Sequence, residues 1–356
     1  MHGLFFDCRY IRVDHHDGIS RFSAGLFAAL NKLTKVTAVI SDPRQLDKLP
    51  SEIEFVRVTS PTSALEPLVA LQLNQLGAKV VFSPMQTIGS FGRRFKLILT
   101  VHDLIYYRHP APPPGFAWPI KLLWRLYHLS YLPQRLLLNR SDAVATVSNT
   151  TQSLIEKHNL TKRSVSVVYN AAGDDSQLLA ATVRPTGKQT LVYMGSFMDY
   201  KNVEVLIKGM AHLPDHELLL LSRISDSRKA ELQSLVPTGA KVEFLNGVTD
   251  EQYHELLANS VALVSGSRDE GFGIPLVESM SRGIPVVVSN IPIFEEIGGD
   301  AAIYFDQEDP KAFAAAVHSI DGDSEWLAKS KLSQVQAKKF SWANSAKALL
   351  DLLQQI

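Results

Sequence analysis

The sequence predicts an α/β protein of two domains, each built around a mainly parallel sheet. Three observations predict it. At 356 residues the chain is too long for one ordinary core and suits two domains of about 150–180 residues. Short β-rich runs alternate with amphipathic stretches at helical spacing, the pattern of βαβ units. The alternation breaks once, at the polar, turn-rich segment Asp174 to Gln189 with its Arg184-Pro185-Thr186-Gly187, and then restarts. Domains are expected over 1–175 and 188–340.

In the first half, Gly3 to Cys8, Val36 to Ile40, Glu54 to Val58, Val80 to Phe82, Leu97 to Val101, Ala143 to Val147 and Val165 to Val168 read as strands. Between the first two, Ile19, Phe22, Leu26, Ala29 and Leu30 recur at helical spacing. Gly18 is therefore expected just before a helix start, where the leading amides suit a phosphate. After the break come the strand Leu191 to Met194, the helix Val203 to His212, the strand Glu217 to Leu221 and the helix Asp226 to Leu235. The strand Val242 to Leu245, the helix Asp250 to Asn259 and the strand Ala262 to Val264 follow. Further on, Ala302 to Phe305 is a last strand, Pro310 opens a helix, and Ser341 is placed to cap a terminal amphipathic helix.

The most informative stretch is Arg268-Asp269-Glu270-Gly271-Phe272-Gly273-Ile274-Pro275-Leu276-Val277-Glu278, leading through Gly283-Ile284-Pro285 to the strand Val286 to Val288. It reads as strand, Gly-containing loop, helix, tight turn, strand. Pro275 suits a first helical turn, where a missing N–H costs nothing. Gly271 and Gly273 let backbone approach a ligand, and the amides at the helix start suit an anion. Glu270 and Glu278 have seven residues between them. They are too far apart to share one helical face, so a bent loop must bring them to one ligand. The bland alternative is a Gly-rich connection bearing two solvated acids.

Composition narrows the partners. Apolar content of 46% with 20% charged residues is that of a soluble globular protein. The single cysteine, Cys8, excludes an internal disulfide and says nothing against a reducing cytoplasm. No signal peptide is expected at Met1-His2-Gly3-Leu4-Phe5-Phe6-Asp7, which lacks a basic start, and no run approaches ~20 apolar residues. The net charge of zero hides an asymmetry: residues 1–175 hold 20 basic and 13 acidic side chains, a balance of +7, and residues 176–356 hold 16 and 23, a balance of −7. A basic first half would attract an anionic acceptor or membrane surface; ordinary scatter of surface charge explains it equally.

The stretch around Glu270 and Glu278 resembles the Glu-x7-Glu signature of retaining glycosyltransferases of the GT4 type, and the resemblance runs nearly end to end. It implies the GT-B fold, two Rossmann-like domains facing a cleft, with residues 341–356 forming a helix that crosses back to the N-terminal domain. It implies a nucleotide-diphospho-sugar held mainly by the second domain and an acceptor held by the first. Closure would exclude water. Glu270 would accept hydrogen bonds from donor-sugar hydroxyls. Gly271, Phe272, Gly273 and Ile274 would present backbone amides to sugar or diphosphate, and Glu278 would hold the ribose diol. The turn Leu245-Asn246-Gly247-Val248 is similar to the part of the family that packs near the nucleobase.

Lys201, in Gly195-Ser196-Phe197-Met198-Asp199-Tyr200-Lys201-Asn202, matches a basic position that neutralises the leaving diphosphate. Relatives commonly carry an arginine in that loop too, where this chain has Ser196 and Tyr200; Arg223, after the next strand, is the candidate to replace it. His102 closes a strand in Thr100-Val101-His102-Asp103-Leu104, and His-Asp-Leu resembles the family motif whose histidine approaches the donor sugar. Asp103 either orients the imidazole or caps a turn. Ser148-Asn149-Thr150 and Tyr169-Asn170-Ala171 match loops bordering the cleft, and serve equally well as caps or turns. Similarity is greatest to α-mannosyltransferases, which makes GDP-mannose the expected donor and a glycan or lipid-linked glycan the expected acceptor. No resident cofactor, essential metal or nucleic-acid partner is expected, and the expected location is cytoplasmic, with peripheral contact on the inner face of the cell membrane as an extension. Two rivals stand: a catalytically silent GT-B sugar-nucleotide binder, and a GT-B sugar-nucleotide epimerase.

One amphipathic segment is ambiguous. Pro119-Ile120-Lys121-Leu122-Leu123-Trp124-Arg125-Leu126-Tyr127-His128-Leu129 has a wide apolar face and a basic edge of Lys121, Arg125 and His128. The plain expectation is a helix packed on the first sheet with that edge in solvent; the alternative is a helix lying on an anionic membrane. Trp118 and Trp124, with Arg93-Arg94-Phe95-Lys96, offer an acceptor platform. There is no Gly-x-Ser-x-Gly elbow, Cys-x-x-Cys, His-Glu-x-x-His or Walker loop. Asp321-Gly322-Asp323 has an Asp-x-Asp spacing but reads as a polar turn between helices.

Overall fold

A computed structural model describes residues 3–14, 17–112, 117–173 and 183–356. The chain divides into two compact units, one of residues 1–173 with 341–356, the other of residues 174–340. Within the expected linker, residues 174–182 lie outside the described residues.

The first unit holds the strands β1 (Leu4–Asp7), β2 (Thr37–Ile40), β3 (Glu54–Arg57), β4 (Val80–Ser83), β5 (Lys96–Val101), β6 (Ala143–Thr146) and β7 (Val165–Val167). They pair in parallel in the order β3-β2-β1-β4-β5-β6-β7. The inner strands, buried on both faces, need continuous apolar runs rather than alternation, which is why Leu4, Phe6, Val81, Phe82, Leu97 and Ile98 are all buried. Phe6 packs tilted against Phe82 at 4.8 Å and meets the edge of Phe27, from the Gly18–Asn31 helix, at 5.6 Å. The order reverses between β1 and β4, and ligands of open α/β sheets gather beyond the carboxyl ends of strands at such a point.

The Gly18–Asn31 helix starts one residue earlier than expected. Gly18 is its first residue, and the carboxylate of Asp17 already accepts the Ser20 amide at 2.8 Å and pairs with Arg12 at 2.5 Å. A phosphate there would meet that acid. The terminal helix Trp342–Gln354 packs on this same helix. Ser341 caps it by accepting from the Asn344 amide, and Ser345 donates to the Tyr169 carbonyl at 2.7 Å. The helices approach closely because Gly25 has no side chain: a Cβ there would lie 2.3 Å from the Trp342 indole.

The expectation that the 118–128 helix packs on the first sheet is overturned. Trp118–His128 is helical, but none of its residues is buried. Among the described residues, its narrow aromatic side finds partners, with Trp124 4.9 Å from Tyr106 and His128 5.0 Å from Tyr107. His128 also leaves the expected basic edge: its Nδ1 donates to the Trp124 carbonyl at 2.8 Å, and partial burial lowers its pKa. Of that edge, Lys121 and Arg125 remain exposed.

The second unit repeats the plan with β8 (Gln189–Tyr193), β9 (His216–Leu220), β10 (Lys241–Phe244), β11 (Ala262–Ser265), β12 (Val286–Ser289) and β13 (Ile303–Phe305). All pairs are parallel, in the order β10-β9-β8-β11-β12-β13. The reversal falls between β8 and β11, the two strands that precede Lys201 and Glu270. Asp321 lies in the polar turn expected of it, 2.7 Å from His318 Nδ1 and 3.3 Å from His216 Nε2, and Asp323 opens the Asp323–Ala337 helix.

The Gly25 contact gives opposing expectations for one substitution. In an unpacked helix Gly→Ala stabilises by about 1 kcal/mol; here overpacking against Trp342, which costs about 1–3 kcal/mol, outweighs that gain. Gly25→Ala is expected to lower the melting temperature of the chain by a few degrees. A rise in a thermal melt would show that the two helices do not pack this tightly.

Candidate active site

Local chain geometry brings Lys201 and Glu270 together. After β8 the chain makes a tight turn, Asp199–Lys201, and Asn202 adopts a left-handed conformation at φ 48°. Asparagine tolerates this region better than most residues. Its buried side chain donates to the Gly266 carbonyl at 3.1 Å and to the Gln307 carbonyl at 2.7 Å, tying together the loops after β8, β11 and β13. Gly266 permits the approach, since a Cβ there would lie 2.8 Å from the Asn202 carbonyl oxygen. The Arg268 amide adds a backbone bond to the Tyr200 carbonyl at 2.7 Å.

Held this way, the Lys201 ammonium hydrogen-bonds and ion-pairs with Glu270 Oε1. The same oxygen accepts from Ser267 Oγ at 3.0 Å, and Ser267 Oγ lies 3.2 Å from Ser265 Oγ. Lys201 and Glu270 are 14% and 15% exposed, so both are withdrawn from bulk water without being sealed off. At the base of the Lys201 loop, burial, reinforced by the charge of Glu270, raises the Tyr193 phenol well above its usual range. It stays protonated and donates to the Ser196 carbonyl at 2.6 Å, while the Gly195 amide is held by Ser222 Oγ at 3.1 Å. Ser196 itself is exposed.

Beyond Glu270, Phe272 is anchored in the core of the unit, edge-on to Phe340 at 5.6 Å. Gly273, at φ 92°, is the N-cap of the Ile274–Ser281 helix, with Pro275 in its first turn. The glycine cap offers no side-chain oxygen to the leading amides, Pro275 has no amide hydrogen, and the Leu276 amide bonds the Gly273 carbonyl at 3.0 Å, which leaves the Ile274 amide as the one facing the cap without a side-chain acceptor. Glu278 lies in this helix, buried, and accepts from the Tyr253 hydroxyl at 3.0 Å. The turn after β10 carries two left-handed residues, Asn246 and Gly247. Its shape is fixed by Gly247 donating to the Leu221 carbonyl at 2.9 Å and Asn246 Oδ1 accepting from the Ile224 amide at 3.0 Å. Val248 follows, half-buried.

Arg223 is exposed, and its stem packs where a Gly247 side chain would be, 2.8 Å from the position of a Cβ. It therefore belongs to the Gly247-Val248 turn. Two other arginines reach the Lys201 loop: Arg268, whose Nη1 donates to the Asp199 carbonyl at 3.3 Å, and Arg228, which sequence reasoning missed. Its Nε donates to the Phe197 carbonyl at 3.0 Å, and its guanidinium pairs with Glu204 and with Glu231 at 2.7 Å. Ser267 and Tyr253 were missed as well: each holds an expected carboxylate, and neither lies in the motif spacing that exposed the acids.

In the first unit His102 follows β5. Its Nε2 donates to the Pro84 carbonyl at 2.7 Å, and Phe22 meets the ring edge-on at 5.0 Å. Asp103 accepts from the Ile105 amide at 3.0 Å, the turn-capping role. His102 borders a pocket of 160 Å³ with Met85, Gln86, Tyr106, Tyr107 and His128. Burial lowers its pKa, against the opposing pull of the Pro84 carbonyl and the charge of Asp103. Ser148 caps the helix Asn149–Lys157, and Tyr169 and Asn149 hydrogen-bond to each other.

Two parallel-sheet α/β units of seven and six strands, with a lysine, two acids and a glycine-capped helix at one switch point, have the GT-B fold. The comparisons agree: residues 174–333 match the family model described as glycosyl transferases group 1, and that match with the relatives below supports glycosyl transfer to a glycan acceptor. It is 28% identical over 322 residues to the O-antigen chain mannosyltransferase RfbU of Salmonella typhimurium, covering 85% of this chain and 87% of that one. It is 25% identical over 190 residues to the GDP-mannose:cellobiosyl-diphosphopolyprenol alpha-mannosyltransferase of Xanthomonas oryzae pv. oryzae, covering 50% of each. Among solved structures, sucrose-phosphate synthase from Thermosynechococcus elongatus matches with a TM-score of 0.75 at 17% identity, over 99% and 98% of the two chains, a likeness of fold.

Two outcomes test the site. If Glu278 grips the donor, Tyr253→Phe removes a hydrogen bond to a charged group and raises the donor KM about tenfold, with kcat changed less than about twofold. Steady-state kinetics that show kcat falling and KM fixed would reassign Tyr253. The depressed His102 pKa means that the unfolded chain binds the extra proton first. The stability linked to its neutral form is complete above the ordinary value of 6.5 and is lost as pH falls below it. Thermal melts are expected to decline below that pH, less steeply in His102→Asn; equal slopes would remove His102 as the cause.

Proposed function

We propose that the chain transfers an α-mannosyl group from GDP-mannose, with retention of configuration, to a glycan or lipid-linked glycan acceptor at the cytoplasmic face of the cell membrane. The observation that carries the reading is the convergence of Lys201 and Glu270 at the switch point of the second sheet, beside a helix whose cap has no side chain of its own. The names of the two relatives support mannosyl as the group and GDP-mannose as its source.

In this reading the donor diphosphate takes the Lys201 ammonium, and Glu270, released from that pairing, accepts from hydroxyls of the sugar. Glu278, steadied by Tyr253, takes the ribose diol. The Gly247-Val248 turn and Arg223 border the base, and the backbone at Gly271 to Ile274 meets the diphosphate or sugar. The bond between the anomeric carbon and the diphosphate oxygen breaks with its electron pair on the phosphate, leaving an oxocarbenium-like sugar. The acceptor hydroxyl oxygen bonds that carbon from the same face, and its proton passes to the leaving phosphate. No protein nucleophile and no metal take part in this scheme. His102, kept neutral by burial, presents an uncharged imidazole in the first unit. The pocket beside it, lined by Gln86, Tyr106 and Tyr107, has the mixture of aromatic faces and polar groups that suits an acceptor sugar.

A thermal-shift series with GDP, GDP-mannose, UDP and UDP-glucose tests the donor. A ligand at a hundred times its Kd stabilises by about 2.7 kcal/mol, and the guanosine compounds are expected to give the larger shifts. Release of GDP from GDP-mannose is expected to fall about 10²- to 10³-fold in Glu270→Ala, as for other losses of transition-state stabilisation. A larger shift with UDP compounds would sink the choice of donor, and undiminished release would sink the role of Glu270.

A further inference from the structure

The Trp118–His128 helix is amphipathic in the wrong sense for a core element. Trp124, Tyr127 and His128 turn toward their own unit, onto Tyr106, Tyr107 and the Gln134 side chain. Trp118, Leu122, Leu126 and Leu129 recur at intervals of four, four and three on the opposite side, 76%, 50%, 53% and 77% exposed. Lys121 and Arg125 run along one flank of that stripe. The Leu132–Leu138 helix, next in the chain, also exposes two leucines one turn apart, Leu132 and Leu136, each 58% exposed. Large contiguous apolar surface on a soluble chain marks a contact surface.

Charge identifies what covers it. Between Asp103 and Asp142 the sequence contains no acidic residue, while Arg108, Lys121, Arg125, Arg135 and Arg140 all fall there. Pairing the helix with a second copy of itself would set Lys121 and Arg125 among cations, with no carboxylate in the stretch to answer them. An anionic bilayer answers both demands: acyl chains take the leucines, headgroups take the cations, and tryptophan favours the boundary between them. We propose that the Trp118–His128 and Leu132–Leu138 helices lie in the surface of an anionic membrane, with Trp118, Leu122, Leu126 and Leu129 at the acyl boundary and Lys121 and Arg125 at the headgroups. This assigns a surface to the membrane contact in the proposed function and rests on that reading only for the whereabouts of the acceptor.

The full chain is mixed with vesicles of phosphatidylcholine, or of phosphatidylcholine with roughly a third phosphatidylglycerol, and pelleted. The expected result is partition onto the anionic vesicles, weakened by salt. Leu122→Ser with Leu126→Ser, and separately Lys121→Glu with Arg125→Glu, are expected to lower it at least about tenfold. All four side chains are exposed, so both variants are expected to keep the parent melting temperature. Absence of partition, equal partition on neutral and anionic vesicles, or a solution dimer abolished by the leucine pair would overturn the proposal. No donor or acceptor is present in the measurement, so a failed choice of GDP-mannose and a failed membrane surface give different results.

Discussion

The site in the second unit depends on one asparagine held where most side chains resist going. A left-handed residue without glycine's freedom is disfavoured by about 1–2 kcal/mol, yet Asn202 also stands where two foreign loops need a donor. Both hydrogens of its amide are used, one on Gly266 and one on Gln307. The three loops that follow β8, β11 and β13 are thereby held as one body, and the turn just before Asn202 presents Lys201 to the loop carrying Glu270. Preorganisation here is a matter of backbone geometry first and of charge second.

The charge pair itself is a poor source of stability. Two partly buried ions lose hydration on folding, and their attraction returns only part of that cost. Their value lies in what the pair can exchange. An ammonium already positioned and largely desolvated responds strongly to a diphosphate, because the field around it is weakly screened. Ser267 places a second hydrogen bond on the same Glu270 oxygen, a hold on the carboxylate that does not depend on the lysine.

Much of this was legible in the sequence. Strands buried on both faces must be continuous apolar runs, so the β-branched stretches such as Val286 to Val288 announced themselves, and Pro275 with Gly273 marked a helix start. The spacing of Glu270 and Glu278 and the His-Asp-Leu at residue 102 marked the acids and the imidazole. Their supports were hidden for a physical reason: Tyr253 reaches Glu278 across 25 positions, and a buried tyrosine in an amphipathic helix looks like any core aromatic. Arg223 and Arg228 illustrate the same limit. Both follow β9 closely, and only the path of the chain shows that one leans on Gly247 while the other grips the loop backbone at Phe197. The 118–128 helix misled because it has two apolar sides, one aromatic and one aliphatic. Periodicity counts both as apolar and does not say which one the protein covers.

The union of Gly25 with Trp342 has a consequence for biogenesis. The surface of the Gly18–Asn31 helix that receives the indole is made early on the ribosome, and its cover is made only after the whole of residues 174–340 has emerged. Translation proceeds at about 5–20 residues per second, so that patch waits on the order of ten seconds or more, bare, while a separate sheet assembles downstream. The first unit to begin folding is thus the last to finish, and the interval is when the nascent chain is most open to a chaperone.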